Sequence, residues 1–255
     1  MSEDPYPFES EDDIEIRELD LESVDAVAEA RITVGELAGQ NESWRYGHVI
    51  VDEAQDLTPM QWRMVMRRVR GRSLTIVGDL AQRSASTTQS WSELLPAELS
   101  DAVRQDLTVN YRSPAEIHDL AVAVLAEFAP SVAPSRSIRA SGSMPQFTQV
   151  RSVVDAVAGT AEAFLTAVTG QVAVIAHDPG AFNLVDDPGG RLRVLTPRQS
   201  KGLEFDAVVL VEPSEILTAA GPSSLYIALT RATQQLTILH QEPLPAVLAP
   251  DVATA

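Results

Sequence analysis

The chain has 255 residues, 45% of them hydrophobic, with a mean hydropathy of −0.01, so it is long enough to bury one large or two modest cores. It contains no cysteine, which excludes disulfides and thiolate metal sites and leaves a cytoplasmic setting as the default. No apolar run reaches the ~18 residues of a bilayer span, and the N-terminus is acidic where a signal peptide is basic, so neither export nor membrane insertion is expected.

Charge is distributed unevenly. The net charge is −17, from 36 acids and 19 bases, and residues 1–30 alone carry twelve acids against one base, Arg17. Such a surface repels phosphate backbones unless its cations cluster, so tight nucleic-acid binding by the chain alone is not expected. All the bases are arginine except Lys201, which raises the question of what that position requires. Residues 1–44 read as a flexible acidic leader with a weak apolar pattern (Ile14, Ile16, Leu19, Leu21, Val24, Val27). A solvated tail is the simple reading; docking on a basic partner is the alternative.

From His48 the pattern changes. His48-Val49-Ile50-Val51-Asp52-Glu53 predicts a short buried parallel strand with acids at its carboxyl end. Thr58-Pro59-Met60-Gln61 then offers an N-cap, a proline at the first helical position and a capping-box glutamine, with Trp62, Val65, Met66 and Val69 on one face. Ser73 to Asp79 predicts a second buried strand. Ser113-Pro114-Ala115-Glu116 suggests another capping box, opening a helix through Phe128; residues 130–146 read as a connection. A helix over Val153–Val168 and a strand over Val172–Ala176 follow, then a loop over Asp178–Gly190. Strands over Leu192–Leu195 and Ala207–Val211, a helix over Ser223–Thr233, a strand over Leu236–Leu239 and a frayed tail over 243–255 complete the chain. Alternating strands and helices imply α/β layering.

An Asp-Glu pair leaving a strand is weak by itself, since acids often merely solvate a strand end. Here five segments occur in one order: Val49-Ile50-Val51-Asp52-Glu53-Ala54-Gln55-Asp56, Gly78-Asp79-Leu80-Ala81-Gln82, Asn110-Tyr111-Arg112-Ser113, Gln199-Ser200-Lys201-Gly202-Leu203-Glu204-Phe205, and Tyr226-Ile227-Ala228-Leu229-Thr230-Arg231-Ala232. Together they closely resemble the nucleotide-site motifs of superfamily-one helicases of the UvrD/Rep type. Tyr46-Gly47-His48, the run Pro59 to Met64, and Leu225 to Gln234 look most like the HelD branch, ATPases related to helicase IV that bind and recycle RNA polymerase.

The resemblance implies RecA-like parallel sheets of the P-loop NTPase type, with a partial first domain over 45–106 and a second over 107–242. It implies ATP and Mg²⁺ as cofactors. Asp52 would hold the metal, Glu53 would activate water, and Gln82 would sense the γ-phosphate. Tyr111 would stack on adenine, Arg112 would reach the γ-phosphate, Gly202 would admit close backbone approach, Glu204 would bind ribose, and Arg231 would act as an arginine finger. The site would form only when the two domains approach.

Three departures qualify the resemblance. The 255 residues contain no G-x-x-x-x-G-K-[ST] loop, so the chain reads as the C-terminal part of a larger motor, inactive without a phosphate-loop segment, and its first sheet is expected to have an open edge. Gln82 is followed by Arg83-Ser84-Ala85-Ser86, with Trp91 arriving late, so the base-stacking platform is in doubt. The stretch from Arg112 to Thr196-Pro197-Arg198 is too short for the large inserted domain of UvrD or Rep. The alternatives to an ATP-driven helicase or translocase part are a non-catalytic module binding a partner such as RNA polymerase, and an inactive remnant.

Overall fold

The computed structural model describes residues 45–83, 90–130, 132–182, 184 and 189–249. The expectations for the acidic leader up to residue 44, for Ser84 to Ser86 and for the tail beyond 249 lie outside them. From Gly47 onward the chain folds as one compact unit containing two lobes of unequal size.

In the smaller lobe, β1 (Val49–Val51) and β2 (Leu74–Ile76) pair in parallel, Val49 opposite Leu74. The helix between them, α1 (Pro59–Arg68), starts as its sequence dictates: Thr58 Oγ1 accepts from the Gln61 amide while Gln61 Oε1 accepts from the Thr58 amide. Trp62 buries its side chain against the strands, and a short helix α2 (Trp91–Leu94) closes a small core with Val51, Ala54, Trp62 and Leu99 at its centre. The expectation of fully buried strands fails here. Ile50 is 71% exposed and Val77 43%, because the two-stranded ribbon packs through one face and has no further strand neighbour among the described residues.

The larger lobe is built on five parallel strands in the order β5 (Gln146–Gln149), β9 (Ala232–His240), β8 (Phe205–Val211), β6 (Val172–Ile175), β7 (Leu192–Leu195). This is the RecA-like α/β architecture the sequence suggests. Period-2 alternation divides β6 and β8 between two cores. Ala173, Ile175, Val208 and Leu210 face α3 (Ala115–Phe128), α5 (Pro213–Ala220) and α6 (Pro222–Leu229); Val172, Val174, Ala207 and Val209 face α4 (Val153–Ala167). A two-residue pair, β3 (Val109–Asn110) with β4 (Arg136–Ser137), sits at one side.

Several elements depart from expectation. The box at Ser113 does not form: α3 begins after Pro114, and the Glu116 carboxylate accepts from the Ser141 and Gly142 amides instead; its own backbone amide first, then those of Gly142 and Ser141, hold it below its ordinary carboxylate value. The connection over 130–146 contains β4 and the start of β5. Helix α5 was not foreseen. The helix expected over Ser223–Thr233 ends at Leu229, and β9 starts at Ala232, so Arg231 lies in the turn between them rather than on a helix. The tail is anchored at its start, where Ala246–Leu248 forms a 3-10 turn that buries Leu248 in the larger core.

Candidate functional site

The motif residues gather where the lobes meet. β1 delivers Asp52 and Glu53 at its carboxyl end. Asp52 is exposed; its Oδ1 accepts from the Glu53 amide at 2.8 Å, and its other oxygen has no partner among the described residues. Glu53 adopts a left-handed backbone (φ 50°, ψ 37°), one of only two non-glycine residues with positive φ among those described. Such strain persists only where neighbours over-determine it. Here Gln55 Nε2 donates to Glu53 Oε2 at 2.6 Å, and Lys201 Nζ lies 3.5 Å from the same oxygen.

Gln55 is fully buried and joins two motifs, because its Oε1 accepts from the Asp79 amide at 3.0 Å. The Asp79 carboxylate in turn caps the 3-10 turn Leu80–Gln82, accepting from the Ala81 amide at 2.9 Å and from Gln82 Nε2 at 3.0 Å. That second bond fixes the Gln82 amide so that Oε1 faces the larger lobe.

Arg231 meets it there. Its guanidinium donates to Gln82 Oε1 at 3.2 Å, to the carbonyls of Ile227 and Leu203 at 3.0 Å each, and to Thr230 Oγ1 at 2.9 Å. The residue is 1% exposed and has no ion-pair partner among the described residues. Burial, and after it the charge of Arg112, pulls the guanidinium below its ordinary value, opposed by Glu53, Tyr226 and Asp79. Arginine stays protonated regardless, so this is a buried cation held by neutral acceptors.

The remaining residues occupy the rim. Asn110 Oδ1 accepts from the Arg112 and Ser113 amides, turning the chain so that Arg112 projects toward Glu204, with Nε 2.8 Å from its carboxylate. Both side chains are about half exposed. Tyr111 is 72% exposed, and its ring packs on no other ring among the described residues. Gly202 has φ +74°, a conformation that favours glycine, and a β-carbon there would lie 3.9 Å from Glu53 Oε1, an ordinary van der Waals contact. The structure thus joins Gln82 to Arg231, Arg112 to Glu204, Asp52 to the Glu53 amide, and Glu53 to Lys201; among the described residues the Tyr111 side chain makes no hydrogen bond or ion pair with the others. Sequence reasoning gave no role to Gln55, Asp79, Lys201 or Ser223. Gln55 and Asp79 lie within the motif segments, Lys201 carried a signal as the only lysine, and Ser223 carried none.

Nucleotide with Mg²⁺ can be tested against this donor set. An exposed carboxylate with one uncommitted oxygen fits Mg²⁺, which keeps several waters and takes one or two carboxylates besides phosphate oxygens. A buried, unpaired guanidinium fits an anion arriving at the lobe junction. Among the described residues there is no cluster of three His, Asp or Glu of the kind that holds a metal unaided.

Residues 30–240 match the family model described as the viral superfamily 1 RNA helicase core domain. No curated protein matches the sequence. Among solved structures, the PRRSV helicase is 18% identical at a TM-score of 0.43, with 76% of this chain and 35% of that chain covered. The arterivirus nonstructural protein 10 helicase in complex with DNA is 17% identical at 0.48, covering 79% and 40%. The C-terminal domain of a possible DNA helicase from Lactobacillus plantarum is 20% identical at 0.41, covering 55% and 92%. The chain spans less than half the length of the two viral helicases.

Proposed function

The chain belongs to the viral superfamily 1 RNA helicase core family, and from that premise we propose that it forms the γ-phosphate-sensing side of an ATP-driven helicase or translocase site. The observation that carries this reading is Arg231: a fully buried guanidinium bonded only to neutral acceptors, beside Gln82 and within electrostatic reach of Glu53. Burying a charge without a counter-ion is costly, and an incoming phosphate would supply one.

In this reading Asp52 holds Mg²⁺ and Glu53 orients the attacking water. Gln82 is fixed by Asp79 and presents its amide to the phosphate end, while Arg231 neutralises negative charge there. Bound Mg²⁺ would supply charge neutralisation between phosphates. Arg112 and Glu204 now pair with each other, so nucleotide entry must part them, freeing Glu204 for ribose and Arg112 for phosphate, with Tyr111 as the exposed platform for adenine. The phosphate loop comes from a separate segment. The finer placement, the HelD branch of UvrD-like proteins with RNA polymerase as partner, rests on the motif spelling and the acidic leader.

The test is to supply a phosphate-loop segment in fusion ahead of residue 45 and measure ATP hydrolysis. Hydrolysis is expected to fall ~10²- to 10⁴-fold in Glu53→Gln and by ~10³-fold or more in Arg231→Lys, which keeps charge but loses the planar fork. Hydrolysis indifferent to both substitutions overturns the reading. A salt-sensitive pull-down of RNA polymerase that is unchanged by deleting residues 1–30 removes the support for the polymerase partner.

A further inference from the structure

Lys201 has no part in the site as proposed, yet its surroundings are specific. The turn that delivers it is tightly built. Thr196 and Gln199 bond reciprocally, the Thr196 amide to Gln199 Oε1 at 2.9 Å and the Gln199 amide to Thr196 Oγ1 at 3.2 Å. Ser200 is wholly buried and donates to the Pro197 carbonyl at 2.8 Å, and Gly202 turns the chain with φ +74°. The side chain leaving this turn is only 12% exposed, and its ammonium lies among oxygens of the smaller lobe: it bonds Asp56 Oδ2, donates to the Gln82 carbonyl at 2.9 Å, and lies 3.5 Å from Glu53 Oε2.

We infer that Lys201 is a positioning residue: an ammonium latch from the larger lobe that holds the Glu53–Asp56 turn and the Gln82 turn of the smaller lobe against it. This rests on the proposed site for its functional meaning, since Glu53 and Gln82 are the groups it sets. Three converging acceptors suit a compact ammonium with three donors; a planar guanidinium cannot address them all from one atom, which gives a physical reason for the single lysine among eighteen arginines. The other bonds across the junction meet the same small turn. Ser223 Oγ reaches the carbonyls of Ala81 at 2.8 Å and Arg83 at 2.9 Å, and Ala81 itself is buried in the larger core. These fasten the Gln82 turn. Among the hydrogen bonds and ion pairs of the described residues, only those of Lys201 also reach the turn carrying Glu53, so it couples the two halves of the acid–glutamine arrangement.

The chain is its own reporter, because Lys201 and the N-terminal amine are its only primary amines. Acylating the intact chain with an N-hydroxysuccinimide ester and quantifying the Lys201 peptide by mass spectrometry requires no nucleotide and no variant. The latch predicts modification at least ~10-fold slower than in the urea-unfolded chain, the equivalent of a closed state favoured by 1.4 kcal/mol or more. Asp56→Asn should raise the native rate severalfold. Equal rates in native and unfolded chains overturn the latch whatever becomes of ATP hydrolysis.

A second measurement separates latching from general packing. With no native cysteine, labels placed at exposed Arg67 and Glu162 as cysteines report the distance between lobes. Lys201→Met should broaden and lengthen that distance while circular dichroism keeps the native helix signal, and Lys201→Arg should not restore it. An unchanged distance distribution in Lys201→Met overturns the proposal. Hydrolysis indifferent to Glu53→Gln while Lys201 stays protected from acylation overturns the site and keeps the latch; hydrolysis lost in Glu53→Gln while Lys201 reacts equally in native and unfolded chains overturns the latch and keeps the site.

Discussion

A β-carbon at Gly78 would lie 2.3 Å from Gln55 Oε1, 2.7 Å from the Trp91 ring and 3.2 Å from the Ala54 amide. Gln55 cannot yield, because it holds Asp79 and Glu53 at once. Gly78→Ala is therefore expected to lower stability by ~1–3 kcal/mol, as overpacking does, whereas Gly47→Ala, with open space around it, should be near neutral; urea denaturation of both compares them. At Tyr226, burial and then the Asp79 charge push the phenol well above its ordinary value of 10.0. A raised folded value gives stability that is complete below the unfolded pKa and drains away as pH rises past it. The wild type should accordingly lose stability above pH ~10 in a way that Tyr226→Phe does not, measured by the denaturation midpoint against pH. Such residue-level facts were only partly legible. Asp52, Glu53, Gln82, Arg112 and Arg231 stand out as motif letters, but the partners of Gln55 and Lys201 lie far off in sequence, and no local pattern encodes them.

Elements were most legible where local chemistry is self-sufficient. The box at α1 needs nothing beyond Thr58, Pro59 and Gln61, and it forms. Thr58→Ala should cost about 1 kcal/mol, seen as a lowered thermal midpoint. The similar spelling at Ser113 fails because tertiary partners compete: the Ser141 and Gly142 amides take Glu116 away from the helix start. The helix predicted through Thr233 stops at Leu229 for a comparable reason. Residues 232–240 add a strand beside β8, where Leu236, Ile238 and Leu239 are buried, and that outweighs helical spacing. The same stop leaves Arg231 in the turn, where its side chain can bond back to Ile227 and forward to the other lobe. Strands β6 and β8 were readable because burial on both faces writes a continuous apolar run; β1 shows the same run with one face open, which spelling alone cannot distinguish.

On the scale of the molecule the two lobes are unequal in what secures them. The central strands β6 and β8 of the larger sheet are almost wholly buried between two cores. The smaller ribbon has two three-residue strands, with Val51, Ala54, Trp62 and Leu99 as its buried centre and Ile50 facing outward. Local opening free energies follow buried apolar contacts, so the lobes should not share one value. Native-state hydrogen exchange is expected to show the Val77 amide, bonded to the Val51 carbonyl at 2.8 Å, opening well below the global free energy, while amides of β6 and β8 exchange only through global unfolding. If the Val77 amide is protected to the same degree as those of β8, the lobes unfold as one cooperative body and the junction contributes far more than its few polar bonds suggest. An early-opening smaller lobe would instead keep Glu53 and Gln82 on the element most easily displaced from Arg231, which is what a site that cycles between gripping and releasing a ligand requires.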